Sequence, residues 1–297
     1  MSDSRTELDE RLVAALKTEP RATVLSLAET TGFPRAVVAT RLKELQESGD
    51  VRVVGATHPM LSGARLIAAV SIAVTGPVMP VIEFLKTIEE AVYVSTVSGP
   101  FEIVMELRVA DQDELLQVLE EVRAAPEINR IETLTYGRVI KGYLSQNELA
   151  EISLDVKDRQ LIGALGEDGR KSWQELADIV SLSPSAVRTR VNRLLESNAM
   201  RIVVMERGGR YGRVISTTAF LTLNADGDAI LAKISEDDAV EFAITAFGKC
   251  DAVLVIRSRS QASLFEALER IRSMPEVTKV ETRTQLQQFK EVFSRIL

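Results

Sequence analysis

An α+β fold built from two tandem copies of one unit is predicted by three features of this sequence. The 297-residue chain aligns with itself at a single offset of 149 residues along its length. Each copy opens with three short stretches of helical periodicity. Each then alternates strand and helix in the order βαββαβ.

The repeat is legible residue by residue. Leu12, Ala15 and Leu16 meet Leu161, Ala164 and Leu165, and Arg21 meets Arg170. Thr40-Arg41 meets Thr189-Arg190, and Glu47-Ser48 meets Glu196-Ser197. Further along, Gly99 meets Gly248, Pro126-Glu127 meets Pro275-Glu276, and Lys141 meets Lys290. One offset held over this distance marks a duplicated architecture. The copies join near residues 142–153. Four segments are expected: 1–55 and 149–204 as helix-turn-helix domains, 56–148 and 205–297 as βαββαβ domains.

In the second copy, Asp155 to Leu165 carries Leu161, Ile162 and Leu165 on one helical face. Gly166-Glu167-Asp168-Gly169 breaks it. Ser172-Trp173-Gln174-Glu175 is a capping box that opens a helix through Val180. After a tight turn, Ser183 caps a further helix with Pro184 at its first position. A short helix, a brief turn and a second helix make the helix-turn-helix pattern. The first copy places the same elements at Asp9 to Leu16, Thr23 to Thr30 and Arg35 to Gln46, with Pro34 where the second has Ser183. The extended runs Val51 to Val54 and Arg201 to Val204 follow. The second leads into the basic, Gly-rich stretch Arg207 to Arg213, which resembles the tip of a hairpin wing.

The strands and helices of the first βαββαβ segment are expected at 66–74, 78–90, 93–98, 103–110, 111–124 and 129–139. Those of the second are expected at 215–223, 226–234, 241–247, 252–258, 261–273 and 278–285. This order is a ferredoxin-like split βαβ. Two helices on a four-stranded sheet leave one sheet face bare, and another such sheet is its simplest cover.

Val187, Val191 and Leu194 form the inner face of the last helix in the second triad. Ser185, Arg188, Thr189 and Asn192 form a short, polar, positive outer face that suits a major groove. Ser183 at its start joins this candidate interface, and Arg35, Thr40 and Lys43 are the first copy's candidates. Arg207, Arg210 and Arg213 are candidate phosphate or minor-groove contacts. Arg41 and Arg190 lie nearer the buried side and are expected to act within the fold. From Ser183 to Arg213 there are seven Arg against two Glu; from Pro34 to Ala64, four Lys/Arg face three acids. Phosphate affinity follows local charge, so the second copy is expected to bind more tightly.

Composition narrows the classes. Apolar residues make up 45% and aromatics 5%, so aliphatic packing dominates the core. No apolar run approaches the roughly 20 residues of a membrane span. The polar start Met1 to Arg5 has no signal-peptide core. A cytoplasmic protein without a membrane partner is expected. One cysteine, Cys250, and one histidine, His58, exclude an intrachain disulfide and a Cys/His zinc site. No metal and no resident cofactor are expected. At net charge −7, any nucleic-acid binding must come from local basic patches.

The chain resembles the Lrp/AsnC (feast/famine) transcription regulator family. The resemblance rests on Asp158-Arg159-Gln160-Leu161-Ile162, Gly169-Arg170-Lys171-Ser172, Glu175-Leu176-Ala177 and Ser183-Pro184-Ser185-Ala186-Val187 with Arg190 and Leu194. The first copy retains Asp9, Leu12, Arg21, Leu27, Ala28, Val38, Arg41 and Leu45. The family implies a sequence-specific regulator of double-stranded DNA whose βαββαβ domain mediates assembly and senses a small effector, often an amino acid. It also implies a Gly-x-x-Asp-like turn near the effector, matched by Gly99-Pro100-Phe101-Glu102 and Gly248-Lys249-Cys250-Asp251. Gly99, Glu102, Gly248, Cys250 and Asp251 are the effector candidates it gives. Two copies in one chain imply an intrachain pseudo-dimer that forms homo-oligomers. Two other readings share the layout. One is a sensor or scaffold that binds no DNA. The other resembles the sirohaem decarboxylases and would want a histidine-bearing pocket, whereas His58 lies in a loop.

Overall fold

The computed structural model describes residues 2–58, 61, 63–142, 149–206 and 215–292. The first copy runs α1 (Ser2–Thr18), α2 (Val24–Thr31), α3 (Arg35–Glu47), β1 (Val51–Thr57), β2 (Leu66–Val74), α4 (Val78–Thr87), β3 (Ala91–Val97), β4 (Ile103–Val109), α5 (Gln112–Arg123) and β5 (Ile128–Lys141). The second runs α6 (Val156–Glu167), α7 (Trp173–Val180), α8 (Pro184–Glu196), β6 (Met200–Glu206), β7 (Ile215–Leu223), α9 (Gly227–Ile234), β8 (Val240–Phe247), β9 (Ala252–Ser258), α10 (Gln261–Arg272) and β10 (Val277–Glu291). These elements fold as two compact units that cut across the repeat. Residues 1–58 and 148–210 form one, and 59–147 and 211–295 form the other.

The first unit holds both helix-turn-helix segments. Local capping starts its helices: Thr23 caps α2, Asp155 and Ser172 close capping boxes on α6 and α7, and the Ser183 hydroxyl accepts from Ala186 N–H. Pro34 offers α3 no side-chain cap, as its lack of a hydroxyl requires. Gly32 and Ser181 close α2 and α7 at φ of 75° and 50°, and that left-handed conformation turns the chain into the next helix. Leu12, Leu16, Leu27, Val38 and Leu45 form one helical core. Leu161, Leu165, Leu176, Val187, Val191 and Leu194 are buried at the matching positions.

One expectation is corrected here. β6 was to form a hairpin with the strand that follows it. Among the described residues β6 pairs instead with β1 of the other copy, in register from Val51↔Glu206 to Thr57↔Met200, while β7 pairs with β9 and β10. The wing is thus a ribbon made jointly by the two copies. Val54 lies opposite Val203, its own repeat counterpart, so a local two-fold axis passes between them.

The second unit is a closed eight-stranded barrel in the order β10-β3-β4-β2-β5-β8-β9-β7. Alternate strand residues divide its two faces. Ala68, Val70 and Ile72 of β2 pack outward against Val81, Ile82 and Leu85 of α4 and Val118 of α5. Ala219, Leu221, Leu254 and Ile256 do the same beneath α9 and α10. Ala69, Leu134, Phe220, Phe242, Ile244 and Val253 form a separate inner cluster. The bare sheet face of each copy is therefore covered by the other copy, within one chain. β5 and β10 run longer than their periodicity predicts, because their far ends leave their own sheet. β5 pairs with β2 and then β8, and β10 with β7 and then β3. Lysines lock both crossings. Lys141 Nζ donates to Ser235 and Asp237 carbonyls (2.7 and 3.1 Å), and Lys290 Nζ to Ile88 and Lys86 carbonyls (2.6 and 3.0 Å). Closure pairs every strand of the sheet and removes the free edges that invite aggregation.

Candidate nucleic-acid interface and effector cleft

Helix α8 sorts its cations by face. Arg190 Nη1 donates to Asp155 (2.7 Å) and Asp158 (2.8 Å), and Arg193 Nη2 donates to Asp158 (2.5 Å). Asp158 is fully buried and serves both arginines while closing the α6 capping box. Ser185, Arg188, Thr189 and Asn192 remain on the exposed face. Thr189 bonds back to the Ser185 carbonyl (3.1 Å), and Ser183 spends its hydroxyl on the cap. Arg188 and Asn192 thus extend outward with reach to base edges, while Arg193, also exposed, is turned to Asp158.

Helix α3 repeats the inner contact and not the outer face. Arg41 grips Asp9 through Nε (2.6 Å) and Nη2 (2.8 Å), and its Nη1 meets Glu44 (2.7 Å). This matches Arg190 on Asp158, so the structural role expected of both arginines holds. Arg35, Thr40 and Lys43 are exposed, but Lys43 lies 3.7 Å from Glu47, and Ala36 and Ala39 stand where α8 has Ser185 and Arg188. Val37 adds an exposed apolar side chain. Arg207, Arg210 and Arg213 lie outside the described residues.

The two Gly-x-x-acid turns connect β3 to β4 and β8 to β9. Gly99 and Gly248 adopt φ of 113° and 140°, where a side chain would be strained, so both act as turn-formers. Glu102 accepts from Val74 N–H (3.0 Å), and Asp251 accepts from Leu223 N–H (2.8 Å), its exact repeat equivalent. Each carboxylate therefore ties its turn to the start of the neighbouring loop. Cys250 is set back from the surface of its turn. It is buried in the inner cluster with Ile244 and Val253, and burial pushes its thiol up to about 11.

Asp251 also borders a cleft of about 670 Å³ at the β5–β8 seam. Gly137 and Arg138 of β5, Asp226 and Asp228 at the start of α9, and Thr245 and Phe247 of β8 line it. Arg138 pairs with Asp228, and Asp226 caps α9. A Cβ at Gly137 would fall 2.5 Å from Thr245 Oγ1, so glycine keeps this seam closed beneath the cleft. At the matching positions the other seam carries Leu286, Pro77, Met79 and Ser98 and lacks those two aspartates.

Sequence reasoning missed two groups. Arg283 is buried at one end of the barrel. It bonds Ser71 Oγ, lies 3.5 Å from Glu132, and sits 4.7 Å from the rings of both Phe101 and Phe220. Its repeat counterpart is Leu134, so this polar plug belongs to one half only. The second group is the pair Arg21 and Arg170, whose alignment was visible but whose role was not. Each bonds to the loop of the opposite copy.

Comparison with known proteins gives a consistent pattern. The AsnC-type helix-turn-helix domain matches residues 154–195, and a winged helix-turn-helix DNA-binding domain matches 5–51. The Lrp/AsnC ligand binding domain matches twice, at 68–143 and 218–294. The HTH-type transcriptional regulator FL11 of Pyrococcus abyssi is 26% identical over 151 residues, which are 50% of this chain and 98% of that protein. The HTH-type transcriptional regulator LrpA of Mycobacterium tuberculosis is 34% identical over 134 residues, 42% of this chain and 85% of its own. The siroheme decarboxylase NirDL superposes with a TM-score of 0.65 at 14% identity, covering 98% of this chain and 94% of that one, a likeness of fold alone.

Proposed function

The chain belongs to the Lrp/AsnC family, and on that premise we propose that it is a DNA-binding transcription regulator controlled by a small effector. The observation that carries this reading is the sorting of cations on α8. Arg190 and Arg193 are engaged by the buried Asp158, Arg193 while still exposed, whereas Arg188 and Asn192 face solvent beside the small hydroxyls of Ser185 and Thr189. Arg188 and Asn192 read base edges, and Ser183, Ser185 and Thr189 line the approach. Arg207 and Arg210 supply phosphate contacts. Arg35, Thr40 and Lys43 make the weaker half of an asymmetric interface.

The effector is a small molecule with a cationic group, such as an amino acid, held in the Asp251 cleft. One oxygen of Asp251 fixes the turn, and the other meets the ligand's ammonium. Glu102, without an acidic cleft around it, serves the fold. Binding there changes operator affinity, and by linkage DNA changes effector affinity by the same factor. We place the chain among regulators rather than enzymes. NirDL shares its layout, yet the one histidine, His58, lies in the helix-turn-helix unit and donates its backbone N–H to Ala199.

A mobility-shift assay on DNA from upstream of the chain's own gene tests the regulator reading, backed by selection from random duplexes. A specific, salt-dependent shift is expected. Failure on both, or a tetrapyrrole that copurifies and turns over, would sink it.

A further inference from the structure

Two arginines at equivalent positions of the repeat hold the helix-turn-helix segments to one another. Arg21 donates through Nη1 to the Gly169 carbonyl (2.5 Å) and through Nη2 to the Lys171 carbonyl (2.7 Å). Arg170 returns both bonds, to the carbonyls of Pro20 and Ala22 at 2.7 Å each. The four acceptors are themselves repeat equivalents, so the clasp follows the same two-fold relation as the β1–β6 ribbon. On one side only, the Arg21 guanidinium also stacks over the Trp173 ring at 4.2 Å. In the other copy that position is Val24, which has no ring to offer.

Both guanidinium groups are half-buried, and burial lowers both their pKa values; the charge of Arg170 lowers that of Arg21 further. That desolvation offsets part of what the four bonds contribute to stability. What a forked, planar guanidinium adds is direction, since two parallel bonds fix distance and angle together. The clasped loops stand immediately before the N-caps Thr23 and Ser172, where α2 and α7 begin. Displacing a clasped loop therefore displaces the helix pair attached to it.

We propose that Arg21 and Arg170 are positioning residues that set the separation of recognition helices α3 and α8, and with it the half-site spacing the protein accepts on DNA. The second clause rests on the DNA-binding reading above; the first stands without it. Helical half-sites must match the spacing of the helices that read them, so a rigid clasp makes the protein selective for one spacer. A loosened clasp lets it tolerate several.

The test has a DNA-free arm. Cys250→Ala with Glu47→Cys and Glu196→Cys places spin labels at equivalent exposed ends of α3 and α8. The unaltered clasp is expected to give one narrow distance distribution by pulsed dipolar spectroscopy. Arg21→Met/Arg170→Met is expected to broaden it. Arg21→Lys/Arg170→Lys keeps the charges but cannot fork to two carbonyls, and is expected to broaden it as well; this variant covers a methionine pair that fails to fold. In the DNA arm, duplexes with two selected half-sites are compared over spacers stepped by single base pairs. A spacer preference of tenfold or more should fall below threefold in both variants, with affinity for an isolated half-site unchanged. Distributions that stay narrow overturn the clasp whatever DNA does. Broadened distributions with an unchanged spacer profile overturn the spacing role. No DNA binding by the parent protein, with broadening intact, counts against the DNA-binding reading and leaves the clasp standing.

Discussion

The two helix-turn-helix segments share an interior and differ on the surface. Inside, Arg41 on Asp9 and Arg190 on Asp158 are the same contact made twice, as are the bonds that Arg21 and Arg170 exchange. Outside, α3 shows Ala36, Val37 and Ala39 where α8 shows Ser185, Ala186 and Arg188. The same division holds in the barrel. Lys141 and Lys290 lock their crossings alike, and Glu102 and Asp251 tie their turns alike, yet only the second copy's seam carries the aspartates of the cleft. Contacts that keep the copies folded and paired tolerate little change, because a buried charge or donor without its partner is costly. The solvent-facing positions have no such constraint, and the copies have parted there, with the buried Arg283 opposite Leu134 as an interior exception.

The largest expected effect tests the shared interior. Asp158→Ala leaves Arg190 and Arg193 without their buried acceptor and should cost about 3 kcal/mol. Asp9→Ala should cost less, since Asp9 serves one arginine whereas Asp158 serves two and closes the α6 capping box. Urea unfolding read in parallel on the two variants checks the order, and equal losses would show that the second arginine and the capping box add nothing.

Next comes the outer face. Arg188→Ala should weaken operator binding about 5- to 100-fold, the range of one good base contact. Lys43→Ala should weaken it by less than about threefold, as expected for a screened surface charge beside Glu47. Fluorescence anisotropy at fixed salt measures both, and a Lys43→Ala loss as large as that of Arg188→Ala would remove the claimed asymmetry.

The third effect concerns the cleft. An amino acid that raises the melting temperature in a screen of the twenty should lose affinity about tenfold in Asp251→Asn, the scale of one charge-assisted hydrogen bond. Glu102→Gln should leave its affinity unchanged. Calorimetry should find one site per chain; two equal sites would mean that both seams bind.

The smallest effect is chemical. Held near 11 by burial, the Cys250 thiol stays protonated at pH 8, and the thiolate is the form that reacts. Alkylation by iodoacetamide should be slow in the folded protein and fast in urea. Equal rates would place the thiol on the surface.

Local signals carried most of this into view before the structure did. The Ser172–Glu175 box, the Ser183 cap and the period of α5 named helices correctly because each is written within a few consecutive residues. The partner of β6 was not written there. A strand's own residues fix its faces and not its neighbour, and the Gly-rich stretch after Glu206 argued for a hairpin that the opposite copy displaced. Arg283 was hidden for a related reason. Within the wholly polar run Glu281-Thr282-Arg283-Thr284-Gln285, an arginine reads as solvent-facing. The surface it points toward is interior only because a second sheet closes over it. The arginine clasp was half legible: the offset aligned Arg21 with Arg170, but no local pattern says that a side chain will seek another copy's carbonyls.

Closure of the barrel by covalently joined copies changes how this protein answers to dilution. A homodimer comes apart as its concentration falls below its dissociation constant, so its active fraction varies with expression level. Here the partner strands are tethered, and pairing is first order in chain. Pairing within the barrel is then set by folding rather than by abundance, and a few molecules per cell close it as well as a few thousand. A tether also lets a single substitution alter one half of the reading head without its mirror image, a change unavailable to any regulator built from identical subunits.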